Sequence, residues 1–261
     1  MADMTPNTSP RTAGVTARFR FHEELNDFLA RERREQEFEH RCARAATLKN
    51  AIESLGVPHT EVDLVRINGE PVALSRLVCE GDRISVYPGR GAPWPQAAPA
   101  GAPRFVADAH LGGLARMLRM LGYDTVFRND LHDREIRELA ADEDRIVLTR
   151  DRELLKCRTI ARGCFVHALK PEEQLREVVG RLRLAHTARP FTLCLHCNLP
   201  LRSVAKTEVL ARLPENAARY YDRFCTCVGC QRVFWEGSHW KRMQALLEDL
   251  IDLRGAAPGG A

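Results

Sequence analysis

The sequence predicts two lobes of different class: an α+β module first, then an α/β domain built on a parallel sheet and finished by a cysteine-rich ribbon. Three observations carry this reading. Residues 88–103 hold five Pro, three Gly and five Ala with no period for helix or strand, so they read as a spacer between lobes. After the spacer, apolar strand patterns alternate with helical stripes, which is how a parallel sheet covered by helices is written. Five of the nine cysteines crowd between positions 194 and 230.

The first lobe, residues 15–87, follows a polar tail over 1–14. Val15–Phe21 alternates as a strand, and Phe38–Cys42 is placed to pair with it. Thr47 suits the cap of a helix running to about Leu55, where Gly56 and Pro58 stop it. Val62–Ile67 is a strand, Asn68-Gly69 is a two-residue hairpin turn, and residues 71–74 return. Residues 83–87 supply a last strand. Two strands, a helix and further strands in this length resemble a ubiquitin-like β-grasp, as in small sulfur carriers. Such carriers end their module in Gly-Gly, whereas this one ends Tyr87-Pro88-Gly89-Arg90-Gly91. A module that docks a protein partner, or a purely structural one, is therefore preferred to sulfur transfer.

The second lobe is read as an α/β domain over 104–190 and a ribbon with a C-terminal helix over 191–254, with a disordered tail over 255–261. Residues 104–108 form a short strand. Leu111, Leu114, Leu118 and Leu121 then make a helical stripe that Gly122 ends. Residues 123–127 are a second strand, Asp133 caps a helix to about Glu143, and 145–149 is a very apolar third strand. Residues 164–167 are a fourth, with Pro171 opening a helix to Leu184.

Hydrophobic residues make up 44% and charged residues 28% of the 261, which excludes a wholly disordered chain. No run approaches the about 20 apolar residues of a spanning helix, and residues 1–14 hold no apolar stretch for a signal peptidase. A cytoplasmic protein with no membrane association is expected. The net charge is +4, and 34 of the 39 basic residues are Arg, a side chain suited to bidentate phosphate contacts.

In an open parallel sheet, ligands gather beyond the carboxyl ends of the strands. Asp108 follows the first strand of this lobe, Asp151 stands two residues past the third, and Asp133 opens the intervening helix. Three carboxylates brought together repel one another unless a hard cation neutralises them, and Mg²⁺ or Mn²⁺ prefers such oxygen ligands. Each also has a plain structural alternative: Asp133 as an N-cap, Asp151 as a turn former, Asp108 as a loop residue. Asp124, Asp130, Asp142 and Asp144 read as solvated, with Asp130 near enough to Asp133 to serve as a reserve ligand.

Residues 104–116, Arg-Phe-Val-Ala-Asp-Ala-His-Leu-Gly-Gly-Leu-Ala-Arg, followed by Leu118-Arg119 and Leu121-Gly122-Tyr123-Asp124, resemble the opening of the Mut-seven C-terminal RNase domain family. Residues 133–139 with Ile146-Val147-Leu148-Thr149-Arg150-Asp151 resemble its next block. The resemblance implies a PIN-like nuclease with a zinc ribbon, preceded in some members by a ubiquitin-like domain. It places Asp108, Asp133 and Asp151 on the acidic positions of PIN-like nucleases. Those enzymes often use four acids, and no fourth is evident here. The implied activity is metal-dependent hydrolysis of RNA; the alternative is a non-catalytic RNA-binding adaptor that grips RNA with its ribbon.

Around the acids, Arg116 and Arg119 lie at i, i+3 on one helix, Arg150 flanks Asp151, and His110 follows Asp108 by two residues. All four fit a phosphate substrate. A solvated helix face explains the arginines equally well, and an ordinary helix-start residue explains His110. Cys194-x-x-Cys197 and Cys227-x-x-Cys230 are two knuckles of the kind that set four thiolates around structural Zn²⁺ at about 2.3 Å. The gap of 29 residues between them leaves room for a helix near Thr207, and Cys225 is an alternative ligand. Cys42, Cys79, Cys157 and Cys164 read as buried or half-buried thiols. Phe234, Trp235 and Trp240 beside the second knuckle suit either stacking on bases or packing of a small core. His239 is either an active-site or RNA contact or simply the start of the last helix.

Overall fold

The computed structural model describes residues 14–89, 102–184 and 187–252. The expected N-terminal tail and most of the spacer lie outside the described residues, as does the C-terminal tail. The chain folds as two compact units, Met1–Arg90 and Gly91–Ala261.

The first unit is a five-stranded mixed sheet with one helix. Strands β1 (Val15–Phe21), β2 (Phe38–Cys42), β3 (Val62–Ile67), β4 (Glu70–Val72) and β5 (Arg83–Pro88) lie in the order β2-β1-β5-β3-β4. The first and last strands pair in parallel at its centre and the other pairings are antiparallel. This is the β-grasp. Helix α1 (Leu48–Ser54) starts at Thr47, whose hydroxyl accepts the Asn50 N–H at 3.2 Å. It buries Leu48, Ala51 and Ile52, while alternate residues Ala17, Phe19 and Phe21 of β1 are buried in the same unit. At the hairpin turn both Asn68 (φ 53°) and Gly69 (φ 94°) are left-handed, the backbone a type I′ turn demands.

The second unit contains a four-stranded sheet, all parallel, of β6 (Phe105–Ala107), β7 (Thr125–Val126), β8 (Ile146–Thr149) and β9 (Gly163–Phe165) in the order β7-β6-β8-β9. Every residue of β6 and β8 is buried, as expected of strands covered on both faces. The helices are α2 (Gly112–Met120), α3 (Asp133–Asp142), α4 (Arg152–Leu155) and α5 (Pro171–Arg181). Leu114, Leu118, Leu175 and Val178 join Phe105, Ile146 and Leu148 in one apolar cluster. Gly122 answers two demands at once. Its φ is +84°, and a Cβ there would stand 2.1 Å from the Arg189 carbonyl oxygen.

The ribbon is a three-stranded antiparallel sheet of β10 (Leu201–Val204), β11 (Phe224–Cys227) and β12 (Val233–Trp235). The predicted intervening helix is present as two short ones, α6 (Lys206–Val209) and α7 (Glu215–Tyr220). Helix α8 (Ser238–Asp252) follows β12, and its Met243 and Leu246 pack on the cluster around Phe105. Among the described residues no helix is long and apolar enough to cross a membrane.

Two expectations need correction. The N-cap of α3 is His132, not Asp133, which is the first helical residue. Asp124 is not solvated but half-buried against Arg145, with guanidinium–carboxylate contacts of 2.8 and 2.9 Å. Burial alone would raise the Asp124 pKa, but hydrogen bonds from Arg145 and Asn198 outweigh it and hold the carboxyl below its ordinary value of 3.8. A carboxyl depressed in the folded state stabilises fully above its unfolded pKa, and that stabilisation is lost as pH falls through the folded value. Asp124→Asn is therefore expected to unfold more easily than the unmodified chain at pH 7, by about 1–2 kcal/mol given its partial exposure. The difference closes below about pH 4, which thermal melts across pH will read.

Candidate active site and cysteine cluster

The register of the parallel sheet brings the acids together. Ala107 of β6 pairs with Leu148 of β8, and the Asp108 N–H donates to the Leu148 carbonyl at 3.0 Å. Asp108 and Thr149 therefore leave the sheet side by side at its carboxyl edge. The Thr149 hydroxyl links two acids: it donates to Asp108 Oδ2 and accepts the Asp151 N–H at 2.9 Å. The third comes from the loop after β7, on the far side of β6, which delivers Asp133 to the start of α3. Asp108, Asp133 and Asp151 line one cleft of about 470 Å³, together with His110, His132 and Thr149.

The three carboxylates are held differently. Asp108 is buried and crowded by donors, with Oδ2 also accepting the Arg150 N–H at 3.1 Å and Oδ1 accepting the His110 N–H at 2.8 Å. Asp151 caps α4, its Oδ1 accepting the N–H groups of Glu153 (2.8 Å) and Leu154 (3.4 Å). The Asp133 carboxylate is exposed and takes no side-chain hydrogen bond among the described residues. Two acids thus keep oxygens open to the cleft, while the third is fixed from behind.

That donor set is acidic and purely oxygen, which fits a hard divalent cation. Among the described residues only the four cysteines bring three or more ligand atoms within 4.8 Å of one another, so the aspartates do not form a closed cage. An open set of this kind suits an ion that keeps several of its waters and takes few protein ligands directly.

Cys194, Cys197, Cys227 and Cys230 do form a closed set, every sulfur within 4.8 Å of the others. The Cys194–Cys230 and Cys197–Cys227 sulfur separations are 3.7 and 3.2 Å. A tetrahedral ion at about 2.3 Å from each sulfur needs separations of about 3.8 Å, so the cluster fits a metal with little adjustment. Each knuckle closes the same way, with a left-handed residue directly after its second cysteine: Asn198 at φ 63° and Gln231 at φ 58°. Burial pushes the Cys194 thiol up to about 12, so this sulfur ionises only against a nearby cation. Cys225 is not in the set. It sits within β11 opposite Phe234 and lines a separate cleft. Cys79 is exposed, against expectation.

A family model described as the Mut7-C RNAse domain matches residues 103–247, more than half of the chain and the whole span from the acidic cleft to the last helix. The chain belongs to that family. A second model, Mut7-C ubiquitin, matches residues 14–92 and so covers the β-grasp. Neither a curated protein nor a solved structure matches the chain.

Within this Mut7-C domain, the basic residues expected near the substrate are only partly where the sequence suggested. His110 lines the cleft, exposed, with Nδ1 3.6 Å from Asp108 Oδ1. Arg150 contributes its backbone N–H, while its guanidinium turns away to the Ala168 carbonyl at 2.9 Å. Arg116 is exposed but lies along a different cavity, with Met117 and Leu195. Arg119 is a correction: it is buried, donating to the carbonyls of Thr125 (2.9 Å), Leu195 (3.1 Å) and His196 (2.9 Å). It ties the end of α2 to the first knuckle and is not available to a phosphate. Burial lowers its pKa, and the neighbouring Cys194, Cys197 and Asp124 act in the opposite sense. His239 is the second residue of α8, and its side chain lies outside the described residues.

Asp130, the reserve ligand, is exposed and paired with Arg128 at 3.3 Å rather than directed into the cleft. The residues missed by sequence reasoning are His132 and Thr149. The first carries no signal beyond its place beside Asp133, and the second reads only as the end of a strand.

Proposed function

We propose that this Mut7-C domain is a ribonuclease that hydrolyses phosphodiester bonds at the cleft of Asp108, Asp133 and Asp151, with Mg²⁺ or Mn²⁺ held there. The observation that carries the reading is convergence: three acids far apart in sequence reach one cleft by following three adjacent parallel strands. Asp133 and Asp151 would hold the ion, and Asp108, fixed by Thr149 and two backbone N–H groups, would orient what it binds. A divalent cation there supplies charge neutralisation at the phosphate and an acidified water. His110 and His132, both exposed on the cleft wall, are placed to donate to substrate phosphate oxygens. The four-cysteine cluster is proposed to hold structural Zn²⁺, since four thiolates in tetrahedral array select it.

The β-grasp lies outside this chemistry and is proposed to dock a protein partner. A fragment beginning at Ala102 is accordingly expected to fold with one cooperative transition and to retain the cleavage activity of the whole chain. The test of the function is incubation of the pure protein with labelled single-stranded RNA. Cleavage with Mg²⁺ or Mn²⁺ and none without a divalent ion is the expected result. Binding without cleavage under every metal condition would establish the adaptor instead.

A further inference from the structure

A second cleft, of about 470 Å³, lies between the ribbon sheet and helix α8, and it is as apolar as the first is acidic. Phe191, Phe234 and Trp240 line it with Leu195 and Met243. The rings of Phe191 and Trp240 stand 5.1 Å apart at 32°. In β12, Val233 and Trp235 edge this cleft and also pack on the ribbon's own small core around Phe224, whereas Phe234 lines the cleft without joining that core. Neither the ribbon core nor the cluster around Phe105 includes Phe234 or Trp240. Their half-buried rings are therefore aromatic surface beyond what those two cores use.

The rim is basic. Arg223 lines the cleft with its side chain largely in solvent. His196 and Ser238 add polar groups to the wall. Aromatic faces inside and an exposed guanidinium at the rim match one chemistry, a flat base joined to a phosphate. We infer that this cleft takes an unpaired nucleobase of the RNA strand whose backbone runs to the acidic cleft, a reading that rests on the ribonuclease function proposed above.

Helix α2 sets the register between the two sites. It begins four residues after Asp108, and Arg119 near its other end touches the carbonyls of Leu195 and His196. Its nine helical residues span about 14 Å, several nucleotides of single strand. RNA too short to reach both sites therefore loses this contact.

The test uses the full chain carrying Asp151→Asn, so that RNA stays intact, and titrates it with a single-stranded RNA octamer or an octamer of the same charge lacking its bases. The RNA should quench tryptophan fluorescence and bind roughly tenfold to a hundredfold more tightly than the abasic strand. Adding Phe234→Leu should weaken RNA binding about tenfold and leave abasic-strand binding unchanged. Equal affinity for the two strands without quenching overturns the inference and leaves the cleft to a protein segment. Unchanged RNA affinity in a zinc-replete Phe234→Leu protein also overturns it. The comparison of strands needs no substitution in this cleft, so it decides even if Phe234→Leu fails to fold. Binding is read apart from cleavage, so absence of activity in the unmodified chain would count against the ribonuclease reading alone.

Discussion

Asp151→Asn is expected to lower RNA cleavage by roughly a hundredfold or more, the scale of removing one electrostatic group from a preorganised site. The choice of Asn matters. Asp151 also caps α4, and an Asn oxygen can keep accepting the Glu153 and Leu154 N–H groups. Ala at this position would add a capping loss of about 0.5–2 kcal/mol and confuse folding with chemistry. With Asn the melting transition and the zinc content should stay as they were. RNA affinity should hold or rise, because one negative charge facing the phosphates is gone. Initial cleavage rates and binding isotherms measured on the same preparation separate these effects. Cleavage equal to that of the unmodified protein, in preparations free of contaminating nuclease, would remove the carboxylates from the mechanism.

The second large effect belongs to the cysteines. Purified protein is expected to carry one zinc per chain, and Cys197→Ser to lose it. Apparent binding energies of structural zinc in small peptides reach ~10–16 kcal/mol, so metal and ribbon should disappear together. Cys225→Ser serves as the control, because that thiol lies outside the cluster and should leave the zinc count unchanged. Elemental analysis with circular dichroism distinguishes a ribbon that has lost its metal from one that has merely rearranged. Zinc at well below one per chain in the unmodified protein would reject the assignment.

Most of the fold could be read from the sequence because its strongest signals are local. The alternation of Val15–Phe21 and the Asn68-Gly69 turn express backbone geometry in adjacent residues, and the solid apolar run Ile146–Thr149 expresses burial on both faces. Helix α4 escaped because four residues are too few to show a helical period. The N-cap of α3 slipped by one residue, from Asp133 to His132, because Asp is the more usual cap. In the site, the acids were legible as residues that follow strands, whereas Thr149 was not, since its role depends on the register of β6 against β8. Arg119 misled for a related reason. Spacing along a helix identifies which residues share a face, but not that a knuckle some 75 residues later will cover it.

Arg119 and Asn198 also determine where the chain can be cut. Asn198 accepts the Thr125 N–H at 3.0 Å and donates to Asp124, so the start of β7 and the end of α2 are both finished by atoms of the first knuckle. A nuclease lobe trimmed at residue 190 would keep a buried guanidinium stripped of two of its three carbonyl acceptors, and its exposed edge would have to recruit water or another chain. The ribbon is thus not a removable cassette but the last wall of the Mut7-C domain's own interior. An engineer seeking the minimal nuclease should trim from the β-grasp side and leave the knuckles in place.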